Sequence, residues 1–364
     1  MMRRRFFSTL RQLQHDNPLG LPRSGTPPSF PRRRGLPEKR KIRDVNKVIA
    51  VSSAKGGVGK STIAGRVRLL RNPLLYAAFF DGDRTRMLMV ALAVNIALAL
   101  ARRGIRTGIL DTDIFGPSIP TLLNLSGEPR LDDKNCLVPL TNYGLKSMSM
   151  GYLLPPPPPE STITTSDPNI PPMDTTPISW RGLMVSKAMN QLLHSVSWGP
   201  LDVLILDLPP GTGDVQLTIN QEIVVDGAVI VSTPQDIALR DAVRGYGLFE
   251  KMNVPVLGMV RNMAFFACPH CGKQTRIFSR GSDPKGAQED TAGHAHDTSG
   301  VVATCKRLGI EFLGDVPLDA RVCEDADRGV PTVVAEESDD RSVRRSAFMS
   351  IAEKVARKVG LEWK

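Results

Sequence analysis

Short apolar runs alternate with helical patterns along most of this chain. The runs are four to five residues long, continuous rather than alternating, and rich in Val, Ile and Leu, which is typical of parallel strands buried on both faces. They cover residues 48–51, 107–110, 203–206, 228–231 and 256–260. Helical spacing occupies segments between them, such as residues 94–103 and 182–193. This order predicts one α/β domain with a doubly wound, mostly parallel sheet.

Irregular and terminal segments set the expected limits of this domain, residues 44–361. Residues 155–177 are rich in proline and threonine and predict an exposed loop. Residues 281–299 are polar, and we interpret their two histidines as solvated rather than metal-binding. Residues 338–358 predict an amphipathic helix packed on the sheet. Its basic side chains leave a weak contact with a membrane surface as an alternative; they are Arg341, Arg344, Arg345 and Lys354.

The N-terminal residues 1–43 carry the charge of the chain. They hold twelve arginines and lysines against two acidic residues, which accounts for the whole net charge of +10. Apolar residues recur among the arginines, as in a mitochondrial transit peptide. A disordered basic tail or a nuclear signal is the alternative. Because the remaining chain is close to neutral, we expect no nucleic acid partner.

A glycine-rich segment follows the first apolar run. Its glycines allow backbone N–H groups to turn toward phosphate oxygens, and the start of a helix adds positive potential. Lys60 is expected to reach the β- and γ-phosphates, and Ser61 to ligate Mg²⁺. The segment matches the Walker A pattern except that Ala54 replaces the first glycine. The predicted ATP-binding residues are Gly56, Gly57, Val58, Gly59, Lys60, Ser61 and Thr62.

Two further apolar runs lead into aspartates. Asp207 follows residues 203–206 and precedes a glycine-rich turn; we expect it to hold the Mg²⁺ shell through water, as in a Walker B site, with the turn sensing the γ-phosphate. Asp113 follows residues 107–110 and is the candidate for positioning the attacking water. The alternative for both aspartates is a helix N-cap. Because such sheets bind ligands at the carboxyl ends of their strands, we expect these motifs at one edge.

Residues 65–93 interrupt this arrangement. Residues 61–64 would join directly to the helical pattern that begins at Val94, whereas the segment between them contains Pro73, Gly82 and five arginines and shows no helical pattern shared with either side. Proline inside a regular helix is costly. We hypothesise that this segment is a translated intron. The alternative is a genuine loop followed by a helix over residues 87–103.

The five cysteines fall into two classes. Cys136, Cys305 and Cys323 are isolated and are expected to be small buried apolar residues. Cys268 and Cys271 form a C-x-x-C pair after the run 256–260. Such a pair can be half of a zinc site, a redox dithiol or two ligands of a shared cluster. No second C-x-x-C completes a zinc ribbon, and a thioredoxin-like dithiol would lie near the start of a small fold.

Together these motifs resemble the Mrp-type iron–sulfur cluster carriers of the MinD/ParA group, P-loop ATPases with a deviant Walker A motif. The resemblance spans about residues 46–335 and includes residues 180–182, 233–235 and 314–319. It implies that Lys55 reaches the nucleotide of a partner subunit, so that ATP is sandwiched in a homodimer. It further implies that Asn262 contacts the adenine base. Cys268 and Cys271 of two subunits would then bridge one [4Fe–4S] cluster, which takes four thiolates.

With its basic N-terminus the chain most resembles the mitochondrial branch of this family, which serves assembly of respiratory complex I. The resemblance implies a weak ATPase of the mitochondrial matrix that uses ATP and Mg²⁺. It would transfer a [4Fe–4S] cluster to iron–sulfur apoproteins, complex I subunits among them. Two alternatives stay open. One is a ParA- or MinD-like positioning ATPase on DNA or membrane, which needs no cysteine pair; the other is a P-loop scaffold with zinc between subunits.

Overall fold

An eight-stranded sheet forms the centre of the molecule. The computed structural model describes residues 39–53, 82–114, 116–153, 182–211, 214–267, 274–276, 300–339 and 341–363. All of them belong to one unit, Lys39–Lys364. Residues 1–38 of the predicted transit segment and the loops 155–177 and 281–299 lie outside the described residues, whereas residues 39–43 belong to the folded unit and Ile42 is buried in it.

Ten strands are present in the described chain. They are β1 (Val45–Ser53), β2 (Thr107–Asp111), β3 (Leu140–Asn142), β4 (Leu145–Met148), β5 (Leu201–Asp207), β6 (Gly227–Ser232), β7 (Val256–Arg261), β8 (Phe266–Ala267), β9 (Gln274–Thr275) and β10 (Phe312–Asp315). The main sheet has the order β10-β7-β6-β1-β5-β2-β4-β3, and β8 and β9 form a separate pair. Every pair in the main sheet is parallel except β3 with β4. The predicted mostly parallel sheet is confirmed, and each of the five predicted runs is one of its strands.

The described helices connect and flank these strands. They are α1 (Gly82–Arg102), α2 (Ile119–Leu122), α3 (Gly182–His194), α4 (Asp214–Glu222), α5 (Asp236–Lys251), α6 (Val301–Leu308), α7 (Ala320–Asp327), α8 (Thr332–Ala335) and α9 (Val343–Val359), with one 3₁₀ turn at Met150–Tyr152. In the described residues no helix is both long and apolar enough to cross a membrane.

The core is divided into two layers by the sheet. Successive side chains of a strand point to opposite faces, so Ile49 and Val51 of β1 join the apolar cluster that contains α1 and α9. Val48 and Ala50 join the cluster on the other face, with residues of α3, α4, α5 and α6. Both faces of the central strands are therefore covered, which is why their sequences are apolar without alternation.

Helix α1 corrects one expectation from the sequence. It begins at Gly82, before Val94, and Val90, Ala91, Leu92 and Ala93 are all buried in the core. The expectation that residues 65–93 share no helical pattern with their flanks is therefore wrong for residues 82–93. Residues 87–93 are Met, Leu, Val and Ala, which lack a helix breaker and continue directly into the predicted helix. Pro73 and residues 65–81 lie outside the described residues.

The C-terminal helix packs on the sheet, as predicted. Ser342 caps α9 by accepting a hydrogen bond from the Arg345 amide at 3.1 Å. Several of its basic groups are engaged within the fold. Arg344 contacts Asp319 at 3.4 Å and also pairs with Glu336, and Lys354 donates to the Leu313 carbonyl at 2.8 Å. These contacts tie the helix to neighbouring segments, and contact with a membrane surface stays a prediction.

Candidate functional site

The carboxyl ends of β1, β5 and β2 lie side by side at one edge of the sheet. The register pairs Asp207 with Val51 on one side and with Asp111 on the other. Strand β1 ends at Ser53, and the predicted phosphate loop follows it directly in the sequence. Lys55 and the predicted phosphate-binding residues 56–62 themselves lie outside the described residues.

The turn after β5 is fastened to the end of β1. The Leu208 amide donates to the Val51 carbonyl at 3.0 Å, and the Gly211 amide donates to the Ser53 carbonyl at 3.2 Å. Gly211 has a φ of 100°, a conformation that glycine adopts without strain. The buried Gln216 of α4 donates to the Pro209 carbonyl at 2.8 Å. The predicted γ-phosphate-sensing turn therefore begins beside the point where the predicted phosphate loop starts.

Asp111 organises the loop that carries Asp113. Its carboxylate accepts hydrogen bonds from the Asp113 amide at 3.0 Å and the Ser149 hydroxyl at 3.0 Å. It also accepts from the amides of Ser118 at 3.2 Å and Ile119 at 3.4 Å, where α2 begins. The side chain of Ser118, the N-cap of α2, makes no capping hydrogen bond. Asp111 therefore supplies the helix cap from a distance and fixes both ends of the loop 112–118.

Burial disfavours the charged form of the Asp111 carboxyl. Burial raises the pKa of the Asp111 carboxyl to about 6, and the nearby Asp113 charge also raises it. The hydrogen bonds from the Asp113 amide, Ser149 and Ile119 lower this pKa and so oppose the effect of burial. The network of donors therefore opposes the desolvation of this carboxylate, but the net change in its pKa is upward.

Asp113 and Asp207 occupy the edge that the sequence predicted. Both are buried, with exposed fractions of 7% and 6%. Thr112 lies between them in space, because its amide and its hydroxyl donate to the Asp207 carbonyl at 3.1 and 2.6 Å. Neither aspartate has the N-cap position of a described helix, since Ser118 occupies that position in α2 and α4 begins only at Asp214. The N-cap alternative is thus wrong, and the catalytic roles stay predictions.

Asn262 follows β7 at the same edge. The backbone amide of Asn262 donates to the carbonyl of Ser232, the last residue of β6, at 2.8 Å. Its side-chain oxygen accepts from the Met263 amide at 2.9 Å, and the residue is buried. The Asn262 side chain is therefore held in a fixed position. Its contact with adenine stays a prediction.

The sequence did not predict the ion pair between the buried Arg261, next to Asn262, and Asp315. The Arg261 guanidinium donates to both carboxylate oxygens of Asp315, at 2.5 and 2.8 Å, and lies 5.3 Å from the Phe312 ring centre. Arg261 is 3% exposed. Bidentate pairing with stacking is the geometry in which arginine binds carboxylates best. The pair joins the ends of β7 and β10 and so supports the segment that leads to the cysteine pair.

The cysteine pair lies between two paired strands. Phe266 pairs with Thr275, and Ala267 with Gln274, in an antiparallel β8–β9 hairpin. Cys268 and Cys271 belong to the six residues 268–273 that connect these strands, and they lie outside the described residues. The segment before the hairpin is anchored, because the Ala264 amide donates to the Val316 carbonyl at 3.0 Å. The fold thus brings the two ends of the C-x-x-C segment together.

The remaining cysteines differ from this pair. Cys305 and Cys323 are buried, as predicted, and burial raises the pKa of the Cys305 thiol to about 11. Cys136 is only half-buried, so its predicted burial is wrong. It lies in the turn 132–136, whose amides donate to the Asp132 carboxylate. Within the described residues no group of three or more His, Cys, Asp or Glu could hold a metal ion.

Two of these functional groups had only a weak signal in the sequence. Asp111 is the first aspartate of Asp111-Thr112-Asp113, and a buried strand end with two acids could have indicated one structural and one catalytic carboxylate. Arg261 and Asp315 each end an apolar strand, but their pairing depends on the order of β7 and β10 in the sheet.

Known proteins share both the sequence pattern and the fold. A family model of the NUBPL iron-transfer P-loop NTPases matches residues 90–356. The iron–sulfur cluster transfer protein NUBPL of Mus musculus is 41% identical over 328 residues, 90% of this chain and 82% of the mouse protein. The mitochondrial iron–sulfur protein required for NADH dehydrogenase of Arabidopsis thaliana is 35% identical over 318 residues, 87% of this chain and 80% of that protein.

A solved structure extends the similarity to three dimensions. The nucleotide-binding protein of Archaeoglobus fulgidus in complex with ADP is 30% identical, with a TM-score of 0.53 over 79% of this chain and 87% of that one. The parallel sheet, the acidic strand ends and the family match agree with one another. The chain belongs to the NUBPL family of iron-transfer P-loop NTPases.

Proposed function

We propose that this chain is an ATP-dependent carrier that binds a [4Fe–4S] cluster and transfers it to apoproteins, in the assembly of mitochondrial respiratory complex I. The observation that carries the proposal is the β8–β9 hairpin. It joins the ends of the C-x-x-C segment, and it begins five residues after β7, which ends at Arg261. The relatives named for iron–sulfur cluster transfer and for NADH dehydrogenase support the cargo, the client and a mitochondrial location, within which we propose the matrix.

The nucleotide site is assigned to the edge formed by β1, β5 and β2. In this proposal Lys60 and the amides of residues 56–62 bind the phosphates of ATP, and Asn262 contacts the adenine. Asp113 positions the attacking water, and Asp111 positions Asp113 through the hydrogen bond to its amide. The buried Asp207 and the hydroxyl of Ser61 are oxygen donors, which suit Mg²⁺, and the ion supplies charge neutralisation at the phosphates.

The cargo is assigned to two copies of the cysteine pair. One [4Fe–4S] cluster takes four thiolates, and one chain offers Cys268 and Cys271, so the cluster bridges a homodimer. Lys55 of each subunit completes the nucleotide site of the other. ATP binding then changes the same dimer interface that holds the cluster. This shared interface is the proposed link between nucleotide state and cluster release.

The alternative of a positioning ATPase relied on free cations of the C-terminal helix. Two of the four cations named for this role are engaged within the chain, because Arg344 pairs with Glu336 and Lys354 donates to the Leu313 carbonyl at 2.8 Å. The alternative also leaves the cysteine hairpin without a role. The carrier function therefore accounts for more of the structure.

Anaerobic reconstitution with iron and sulfide tests the proposal. We expect about four irons per dimer in the wild type, with visible absorbance, and none in Cys268→Ser/Cys271→Ser. Cys136→Ser is the matched control, since Cys136 is a half-buried cysteine outside the pair, and it should retain the cluster. A colourless wild type, or equal binding of zinc by monomer and dimer, would exclude the carrier function.

A further inference from the structure

A cleft of about 610 Å³ lies between α5 and α6. Leu239, Val243 and Ala303 line its apolar part. Three arginines also line it, Arg240 and Arg244 from α5 and Arg307 from α6. Asp236 is the one carboxylate among its described lining residues. The cleft therefore combines apolar walls with an excess of positive charge.

The arginines of the cleft are largely available to a partner. All three are exposed, and Arg244 retains 75% of its side-chain surface although it contacts Asp241 at 2.8 Å. Within the described part of the chain, neither Arg240 nor Arg307 pairs with a carboxylate. Such a cluster is notable here because residues 1–43 account for the net charge of the whole protein. The cluster is thus a local feature of an otherwise nearly neutral domain.

An exposed apolar side chain continues the basic face of α5. Ile237 is 47% exposed and precedes Arg240 by three residues and Arg244 by seven. Residues with this spacing lie on one face of a helix. The face therefore offers one apolar and two cationic contacts along two turns, which is the complement of an amphipathic acidic segment.

The cleft is close in the fold to the predicted cargo site. Strand β7 lies between β6, which precedes α5, and β10, which follows α6. Both helices contact β7. β7 ends at Arg261, and five residues later the chain enters the hairpin whose connecting segment contains the cysteine pair. A partner in the cleft would therefore lie against two helices that pack on the strand leading to the cluster ligands.

We propose that the cleft between α5 and α6 is the docking site for an acidic, amphipathic segment of the protein that receives the cluster. Arginines bind carboxylates with paired hydrogen bonds, and a groove with apolar walls accepts the apolar side of a helix. A concave site suits a peptide better than a flat membrane surface. Naming the recipient as the partner rests on the proposed function, whereas the preference for an acidic segment does not.

Binding of a synthetic peptide tests the cleft in the full chain. The probe is a fluorescein-labelled helix of about four turns, with glutamates on one face and leucines on the other. At about 150 mM salt, we expect Arg240→Glu/Arg307→Glu to weaken binding about tenfold or more. The control Arg130→Glu/Arg321→Glu makes the same charge change at two exposed arginines elsewhere and should alter binding less than about twofold. The bound peptide should slow hydrogen exchange in residues 236–251 and 301–308.

Three results would overturn the proposal. Equal weakening of peptide binding in both double variants would show that only the net charge of the protein matters. Equal binding of the glutamate peptide and a peptide with Gln in place of Glu would show that the cleft has no preference for acidic segments. Loss of binding to phosphatidylserine vesicles in the cleft variant, with peptide binding intact, would assign the arginines to a membrane. The assay needs neither iron nor nucleotide. If the chain binds the acidic peptide selectively but assembles no cluster, the partner is not a cluster recipient. The cleft would then still be a docking site for an acidic segment.

Discussion

The loop after β2 and the hairpin after β7 carry the two parts of the proposed chemistry, and they are stabilised in opposite ways. In the loop, the buried Asp111 carboxylate accepts four hydrogen bonds, from Asp113, Ser118, Ile119 and Ser149. The hairpin has strands of only two residues each; those of β8 are half-buried and those of β9 are exposed. The acidic strand ends are thus built into the core, while the two short strands that flank the cysteine segment are half-buried or exposed.

This difference indicates what each region needs for function. Removing a partner from a buried polar network leaves groups unsatisfied and costs stability as well as geometry. A small hairpin with exposed strands contributes little to the global fold, and a bound metal group can supply its order. We therefore expect substitutions at the nucleotide edge to change folding and ATPase activity together, and substitutions in the hairpin to change only the cargo.

The largest expected effect concerns the start of α1. If residues 65–93 are deleted, Ala64 takes the place of Ala93 and Ile63 that of Leu92, so the two buried apolar positions nearest to Val94 are preserved, while Thr62 and Ser61 take the places of Ala91 and Val90. The helix then begins directly after the phosphate loop, where its amides can bind phosphate. We expect the shortened chain to bind Mg²⁺-ATP at least about tenfold more tightly than the full chain, measured by calorimetry.

The control for this deletion is Lys60→Ala in the shortened chain, which should lose the gained affinity. Tighter ATP binding by the full chain, together with full-length peptides in mass spectra of the natural protein, would contradict the intron hypothesis. A transcript that lacks codons 65–93 would support it.

Asp111→Ala should have the next largest effect. The substitution leaves the Asp113 and Ser118 amides and the Ser149 hydroxyl without their acceptor, and we expect a loss of about 2–4 kcal/mol in the free energy of unfolding. ATPase kcat should fall more than about tenfold, because Asp113 loses its support. Urea unfolding and steady-state kinetics measure the two effects.

Asp132→Ala is the matched control for Asp111→Ala. Asp132 also accepts amide hydrogen bonds from its own turn, from Lys134 at 2.9 Å and Cys136 at 2.8 Å, but in a half-exposed position. Water can replace this acceptor, so the loss should be clearly smaller and kcat unchanged. Equal losses for the two variants would show that burial is not what distinguishes the two networks.

A smaller effect should appear in the pH dependence of stability. The folded-state pKa of Asp111, raised to about 6, exceeds its unfolded value, so between these values the folded state binds the extra proton. This contribution to stability is fully present below the unfolded pKa and is lost as pH rises through about 6. Relative to Asp111→Asn, the wild type should therefore gain about 1–1.5 kcal/mol between about pH 7.5 and pH 5 in urea unfolding. Parallel profiles for the two proteins would contradict the raised pKa.

The smallest effect on stability is expected in the hairpin. Thr275→Pro removes an amide from the exposed β9, and the free energy of unfolding should change by less than about 0.5 kcal/mol. Iron retention after reconstitution should nevertheless fall severalfold, because the ends of the C-x-x-C segment separate. Thr275→Val keeps the amide and should retain iron. A large loss of stability in Thr275→Pro would show that the hairpin belongs to the cooperative core.

Local patterns were enough to predict much of this fold. The five continuous apolar runs identified β1, β2, β5, β6 and β7, because burial on both faces requires apolar side chains without alternation. The same reasoning placed the aspartates at strand ends. The reasoning failed at the start of α1. It assigned residues 65–93 to a non-helical interruption, whereas residues 82–93 belong to the helix.

The sequence by itself determined the α/β class, the position of the acidic strand ends and the isolation of Cys268 and Cys271 from the other cysteines, since each of these depends on neighbouring residues alone. Only the tertiary structure decided that Asp111 binds the loop before α2, that Arg261 pairs with Asp315 and that three arginines meet in one cleft. The Arg261–Asp315 pair and the cleft join residues far apart in the chain, and the Asp111 carboxylate is held in its buried place partly by the distant Ser149. They follow from strand order and burial, which no local pattern contains.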